Sequence, residues 1–279
     1  MNILACQISI PDTRNFDDKY KHVKRIVSLI ENSVKNNDPP DLIVLPELSV
    51  IEYSADAFKH LDVLAEDLRG FSYECFSLLA RKLQCSIAYG FPRVENDRYY
   101  ITHAIVSPEG EFLACFDKIH IAQLGASEEK AFFSPGNKLE IIEIKNFKIA
   151  IIICYDFRFP ELTSFINRKY QPDLIIHPVS FPRDSTYESW HHFVICRALE
   201  NQVYFLSLNR CGSHWGTSIF CPPWIDKINK IDEINRPVIF GIEEELKTIT
   251  LNSELLANIR KKYPFNKDRL KDYSVLQQC

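Results

Sequence analysis

The stretch Lys148-Ile149-Ala150-Ile151-Ile152-Ile153-Cys154-Tyr155-Asp156-Phe157-Arg158-Phe159-Pro160-Glu161-Leu162 decides how this chain is read. From Ile149 to Cys154 it is a short apolar run rich in isoleucine. That suits a strand buried on both faces and is too brief for a helix. Pro160 fits the first turn of a helix, so Pro160 to Tyr170 is predicted helical. A thiol, Cys154, stands at the junction. A nucleophile at a strand-to-helix turn has its side chain exposed and backbone N–H groups aimed beside it. A strand that feeds a helix is the building unit of α/β layered folds.

The same unit recurs on either side. Strands are predicted at Asn2–Ile10, Leu42–Leu45, Ser86–Phe91, Asp173–His177 and Val203–Leu208. Helices are predicted at Asp17–Asn36, Ser72–Leu83, Trp190–Asn201 and Ser253–Lys262, the last capped by Ser253. In the first helix Val23, Ile26, Val27, Ile30 and Val34 repeat at helical spacing. Tyr100–Val106 with Glu111–Phe116, and Leu139–Ile144 with Lys148–Ile153, read as hairpins. Thr217–Phe220 and Thr248–Leu251 complete the strand set. Hairpins mixed with strand–helix units imply an α/β fold with mixed sheets, two of them packed together with helices outside. Pro39-Pro40 marks a loop and no linker interrupts the chain, so residues 1–279 read as one domain with a polar C-terminal arm at 263–279.

The chain has 279 residues, a formal net charge of −4 and 46% hydrophobic residues. Lys and Arg are scattered, which gives no footprint for nucleic acid or an anionic membrane surface. No apolar run is long enough to span a membrane. Nine cysteines, an odd number without CxxC spacing, fit a reducing compartment better than a disulfide framework. The first residues carry no export signal, so the expected location is the cytoplasm.

Three predicted strands end abruptly in chemistry. Leu42-Ile43-Val44-Leu45-Pro46 leads to Glu47, Glu111–Phe116 leads through Asp117 to Lys118, and Lys148–Ile153 leads to Cys154. Taken singly, each has a plainer explanation: a helix cap, a solvated lysine, a core thiol. Ligands of α/β sheets sit in the crevice at strand C-terminal ends, so a carboxylate, an ammonium and a thiol at three such ends can meet in one pocket. A nearby helix N-terminus and the lysine would lower the thiol's pKa toward the reactive thiolate.

With these segments goes a wider pattern: Leu45-Pro46-Glu47, Asp117-Lys118-Ile119-His120, Glu129-Lys130-Ala131-Phe132-Phe133-Ser134-Pro135-Gly136, Cys154–Glu161, Arg197-Ala198-Leu199-Glu200-Asn201 and Asn209-Arg210-Cys211-Gly212. In order and spacing this resembles the nitrilase, or carbon–nitrogen hydrolase, superfamily across nearly the whole chain. The resemblance implies a four-layer αββα sandwich and a Glu47–Lys118–Cys154 triad. It further implies that Glu129, rather than Glu128, is a supporting glutamate, and that the protein forms a homodimer or higher homo-oligomer. Cys154 would attack an amide carbon and Glu47 would act as base. Lys118 and the Tyr155 backbone N–H would hold the oxyanion. Ammonia would leave from an acyl thioester, with no metal or organic cofactor.

Arg158, four residues after the thiol, suits a carboxylate on the substrate; the competing reading is a structural ion pair with Asp156 or Glu161. Cys154–Leu162, Trp190 and Arg197–Tyr204 most resemble the omega-amidase and deaminated-glutathione amidase branch, which implies a small anionic ω-amide. Departures lie at the pocket rim: Val179-Ser180-Phe181-Pro182, Ser189-Trp190 with His191 and His192 displaced, and Cys221–Asp226. The alternatives are an N-carbamoyl amino acid amidohydrolase with the same triad, a true nitrilase, a Cys–His enzyme using His120, and a non-catalytic scaffold of the same fold.

Overall fold

A computed structural model describes residues 1–35, 39–125, 127–225, 236–270 and 273. The expected helix end at Asn36, Asp226 and most of the arm beyond Leu270 lie outside the described residues.

Two six-stranded mixed sheets form the centre. In the first, β1 (Asn2–Gln7), β2 (Leu42–Val44) and β3 (Ser86–Glu95) run parallel. β12 (Glu245–Thr250) joins one side antiparallel, and β4 (Arg98–Val106) and β5 (Phe112–Asp117) follow β3 as an antiparallel meander. The order is β12-β1-β2-β3-β4-β5. In the second, β7 (Phe147–Ile151), β8 (Leu174–Pro178) and β9 (Tyr204–Leu208) are the parallel trio. β6 (Ile142–Ile144) and β10 (Ile219–Cys221) flank them antiparallel, and β11 (Val238–Ile239) pairs antiparallel with β10, in the order β11-β10-β9-β8-β7-β6. Helices α1 (Phe16–Val34) and α4 (Phe71–Leu83) pack together on the first sheet, with the short α2 (Ala55–Phe58) and α3 (Leu61–Leu64) between them in the chain. α5 (Pro160–Tyr170) and α6 (Tyr187–Asn201) pack on the second. One apolar core runs through both sheets. This is the αββα sandwich.

Local chemistry explains the boundaries. α1 opens at Asn15, whose side chain accepts the Asp18 N–H, and buries Val23, Ile26 and Ile30. α7 (Ser253–Lys262) is capped by Asn252, not Ser253, because the Asn252 side chain accepts the Leu255 N–H. β1 stops at Gln7, short of Ile10: the Ile8 carbonyl turns to Cys211 N–H and the Ser9 N–H to Glu244. β6 starts at Ile142 rather than Leu139. β3 runs beyond Phe91 into a hairpin with β4, through Asn96-Asp97 at φ 50° and 57°. The sequence reading left this hairpin out because no glycine marks its turn. With only eight glycines, the chain ends α4, α5 and α6 on Gln84, Gln171 and Gln202 in the left-handed conformation.

β5 is two antiparallel steps from β3, so it points the same way as the parallel trio. The ends of β2 and β5 therefore emerge at one edge of the first sheet. Glycine at two positions seats those ends. A Cβ on Gly90 would lie 2.5 Å from the Leu48 nitrogen and 2.7 Å from the Pro46 oxygen, so its absence lets the Glu47 turn rest on β3. A Cβ on Gly136 would lie 2.5 Å from the Asp117 carbonyl, against the chain that carries Lys118. Among the described residues no helix is long and apolar enough to cross a membrane.

Candidate active site

Lys118 sits at the end of β5 with its side chain fully buried. Its Nζ lies 2.9 Å from Glu47 Oε1 and 2.6 Å from Glu129 Oε1. Glu129 is held on every side: Tyr53 donates its hydroxyl to Oε1 at 2.5 Å, and the Ala122 N–H donates to Oε2 at 2.7 Å. The Tyr53 hydroxyl also meets Ser127 Oγ at 2.9 Å. Glu128 is exposed, so of the two neighbouring glutamates it is Glu129 that faces the lysine. Glu47 keeps one oxygen, Oε2, buried and without a hydrogen-bond partner among the described residues.

Cys154 follows β7 and starts a 3₁₀ turn, Cys154–Arg158, with φ +43°. That is a strained conformation for a residue with a side chain. Asp156 fastens the turn. It accepts the Ile153 N–H at 3.0 Å and the His120 N–H at 2.8 Å, tying the thiol's turn to the segment just past Lys118. Among the described residues Asp156 makes no ion pair with Arg158; its side-chain partner is His120, whose Nδ1 lies 2.8 Å from Oδ1.

Burying two carboxylates and an ammonium costs several kcal/mol per ion even after relaxation. Burial alone would lower the Lys118 ammonium, but Cys154, Glu129 and Glu47 around it reverse the effect and hold it well above the ordinary lysine value. Burial pushes Glu47 up; Lys118 and the Cys154 thiol pull it back only in part. Burial also drives the Cys154 thiol well above its ordinary value, and Glu47 adds to that. Lys118 and the Ser180 backbone N–H oppose it. The expectation of a thiol lowered by its lysine is thus corrected. Two carboxylates already neutralise Lys118, so a third negative charge in the resting site is disfavoured.

The thiol opens onto a cavity of about 440 Å³ lined by Tyr53, Phe58, Tyr155, Phe181 and Trp215 among others. Arg158 also lines it. Its guanidinium donates to Ser189 Oγ at 3.0 Å and to the Thr186 carbonyl at 3.4 Å, and lies over the rings of Phe157, Phe181 and Phe193 at 5.3, 5.5 and 5.1 Å. Ser189 therefore has a use at the place where the resemblance led us to expect histidine. His191 turns to the Thr217 carbonyl at 2.7 Å and His192 to the Glu188 carbonyl at 2.9 Å; neither lines the cavity. Among the described residues no cluster of His, Cys, Asp and Glu is arranged to hold a metal ion.

A family model described as carbon-nitrogen hydrolase matches residues 3–241. The chain belongs to the carbon–nitrogen hydrolase family. This hydrolase is 30% identical to omega-amidase NIT3 of Saccharomyces cerevisiae over 90% of its own length and 88% of the relative's. It is 27% identical to omega-amidase NIT2 of Xenopus tropicalis, over 92% of each chain. The crystal structure of Saccharomyces cerevisiae Nit3, a member of branch 10 of the nitrilase superfamily, superposes with a TM-score of 0.81 at 25% identity, covering 99% of this hydrolase and 97% of that chain.

Sequence reasoning passed over Tyr53, Ser127 and Ser180. Tyr53 and Ser127 lie in loops without period, where nothing in the sequence links them to Glu129. Ser180 follows β8, and the strand-end rule that found Cys154 could have found it too.

Proposed function

We propose that this chain is a thiol-dependent amidase that hydrolyses a small carboxylate-bearing linear amide and releases ammonia through an acyl thioester. The observation that carries this reading is the buried Glu47–Lys118–Glu129 contact, whose charges act on Cys154, a residue that lines the cavity. Packing gives no reason to bury such charges, and perturbed ionisable groups beside a cavity mark chemistry.

In this mechanism the resting pair is a neutral Cys154 thiol and an ionised Glu47. The raised Glu47 carboxylate takes the thiol proton as Sγ bonds to the amide carbon, so the thiolate forms only as it is consumed. The carbonyl electrons move onto oxygen, where Lys118 and the Tyr155 N–H receive them. Glu47 returns its proton to the amide nitrogen, the C–N bond breaks and ammonia leaves. Glu47 then takes a proton from water, the water oxygen attacks the thioester, and the sulfur leaves with the proton. Glu129 holds Lys118 in place. Arg158 takes the substrate's carboxylate: its guanidinium is anchored at Ser189 and Thr186 yet still borders the cavity. We further propose a homodimer or higher homo-oligomer in the cytoplasm. Eight free thiols among the described residues fit a reducing compartment. Exposed Phe165, Leu270 and Tyr273 offer apolar surface to a partner.

The test is an ammonia-release screen across ω-amides of dicarboxylic and 2-oxo acids, N-carbamoyl amino acids and nitriles, with Cys154→Ala as the blank. Ammonia from ω-amides, absent in the blank, is the expected result. Carbon dioxide released with ammonia from carbamoyl compounds alone would move the assignment to that class. Turnover that survives Cys154→Ala would end it.

A further inference from the structure

The ring of His177, at the end of β8, is fully buried and lies behind Cys154. Its Nε2 is 2.8 Å from the Cys154 carbonyl oxygen. A carbonyl only accepts, so Nε2 carries the hydrogen. Burial pushes the ring's pKa down to about 3, which leaves it neutral with Nδ1 a bare acceptor. Ser207 Oγ, 2.9 Å from Nδ1, must then donate its hydroxyl hydrogen there. The same oxygen accepts from Trp190 Nε1, a pure donor, at 2.9 Å. One proton order satisfies every group: Trp190 N–H to Ser207, Ser207 O–H to His177, His177 N–H to the Cys154 carbonyl. α6, β9 and β8 supply one member each. The ring is clamped in place by Phe157, stacked at 4.7 Å, and by Phe205, edge-on at 5.6 Å.

The carbonyl that ends this chain belongs to the peptide group joining Cys154 to Tyr155. That group is planar, so anchoring its oxygen sets the direction of its N–H. A hydrogen bond accepted at the oxygen also strengthens the N–H as a donor, because linked hydrogen bonds polarise one another. The anchor lies at a residue whose φ of +43° needs its surroundings to hold it.

We propose that His177, held by Ser207 and Trp190, is a positioning residue that aims and polarises the Tyr155 N–H toward the oxyanion, an inference that rests on the reading of Cys154 and Tyr155 given above. Its effect falls on the step where charge develops on oxygen and spares the reactivity of the sulfur.

The experiment compares wild type, His177→Leu and His177→Gln by steady-state hydrolysis of the monoamide of 2-oxoglutaric acid and by iodoacetamide alkylation of Cys154. Alkylation displaces iodide and develops no oxyanion. His177→Leu is expected to lower kcat about 30-fold, below the 10²–10³ of losing an oxyanion donor outright, with KM and the alkylation rate each within about twofold. His177→Gln, whose amide N–H can reach the same carbonyl, is expected to recover kcat to within about threefold of wild type. An unchanged kcat in His177→Leu overturns the proposal. So does an alkylation rate that falls in step with kcat, which would place the role on the nucleophile. Should His177→Leu fail to fold, Ser207→Ala decides: kcat lowered about threefold at constant alkylation rate supports the chain, and an unchanged kcat overturns it. Failure of the underlying reading shows separately, in wild type that releases no ammonia or in Cys154→Ala that still does, and it removes the proposal with it.

Discussion

The first sheet buries His103 within β4 and the second buries His177 at the end of β8. The two rings share every property that burial alone confers. Both are fully shielded, and burial pushes both down to a pKa of about 3. They differ in wiring. Both nitrogens of His177 are engaged, and the ring links a tryptophan on α6 to the Cys154–Tyr155 peptide. Among the described residues neither nitrogen of His103 has a hydrogen-bond partner. A depressed pKa therefore does not separate a working group from a packed one; the partners do. The carboxylates divide the same way. Glu129 is met by Lys118, Tyr53 and the Ala122 N–H, whereas Glu47 Oε2 has no hydrogen-bond partner among the described residues. That contrast fits a holder beside a base.

If wiring measures importance, cutting the most connected group should do the greatest damage. Glu129→Gln removes the charge opposite Lys118 where both side chains are fully buried. We expect kcat/KM to fall about 10²–10³-fold, the scale of losing one preorganised electrostatic partner. Cys154 should still be alkylated, since its own contacts are untouched. A fall under tenfold would show that Glu47 alone holds the lysine. Tyr53→Phe cuts one link of the same group and leaves its charge and its other two contacts. The loss should be about tenfold in kcat, near the 1.4 kcal/mol expected when one hydrogen bond to a charged group goes. A loss as large as that of Glu129→Gln would make Tyr53 a direct participant and break the ranking.

The sequence carried the parts of this site that stand at ends of strands. Glu47, Lys118 and Cys154 were legible because an apolar run terminating in an ionisable side chain is a pattern that a two-period strand can be scanned for. The resemblance, through the family's spacing to Pro135-Gly136, preferred Glu129 over Glu128; in the structure Gly136 rests on the Asp117 carbonyl and its N–H bonds the Lys118 carbonyl at 2.8 Å. Contacts across elements left no such trace. Tyr53 meets Glu129 over 76 positions of sequence, and Trp190 reaches His177 only through Ser207 on a third element. The thiol's electrostatics were misread for a related reason. Lysine and a helix start are visible in the sequence as lowering influences, but the burial that outweighs them is a property of the assembled sheets. The Asn96-Asp97 turn was hidden because left-handed conformations signalled by glycine elsewhere are taken here by other residues.

The smallest expected effect on activity tests the other half of the contrast. His103→Leu replaces an unwired ring and should leave kcat and KM within about twofold of wild type. Its consequence is for acid stability. Burial lowers His103 to about 3, His177 to about 3 and His22 to about 4, from 6.5. The unfolded chain takes up those protons near pH 6.5 and the folded one refuses them until pH 3 to 4. Between these limits the unfolded state binds more protons, so stability is complete above pH 6.5 and falls as the pH falls. Each histidine contributes about 1.4 kcal/mol per pH unit, or about 2 kcal/mol between pH 6.5 and 5. Urea unfolding of wild type and His103→Leu at pH 7 and pH 5 isolates one of them, because every other titrating group is common to both and cancels. We expect the variant to lose about 2 kcal/mol less than wild type on acidification. It should also be no less stable at pH 7, since two buried nitrogens without partners give way to a side chain that needs none. Identical acid losses in the two proteins would mean that the His103 ring does find a hydrogen-bond partner or a proton in the folded state, and the distinction between the wired and the unwired histidine would fail.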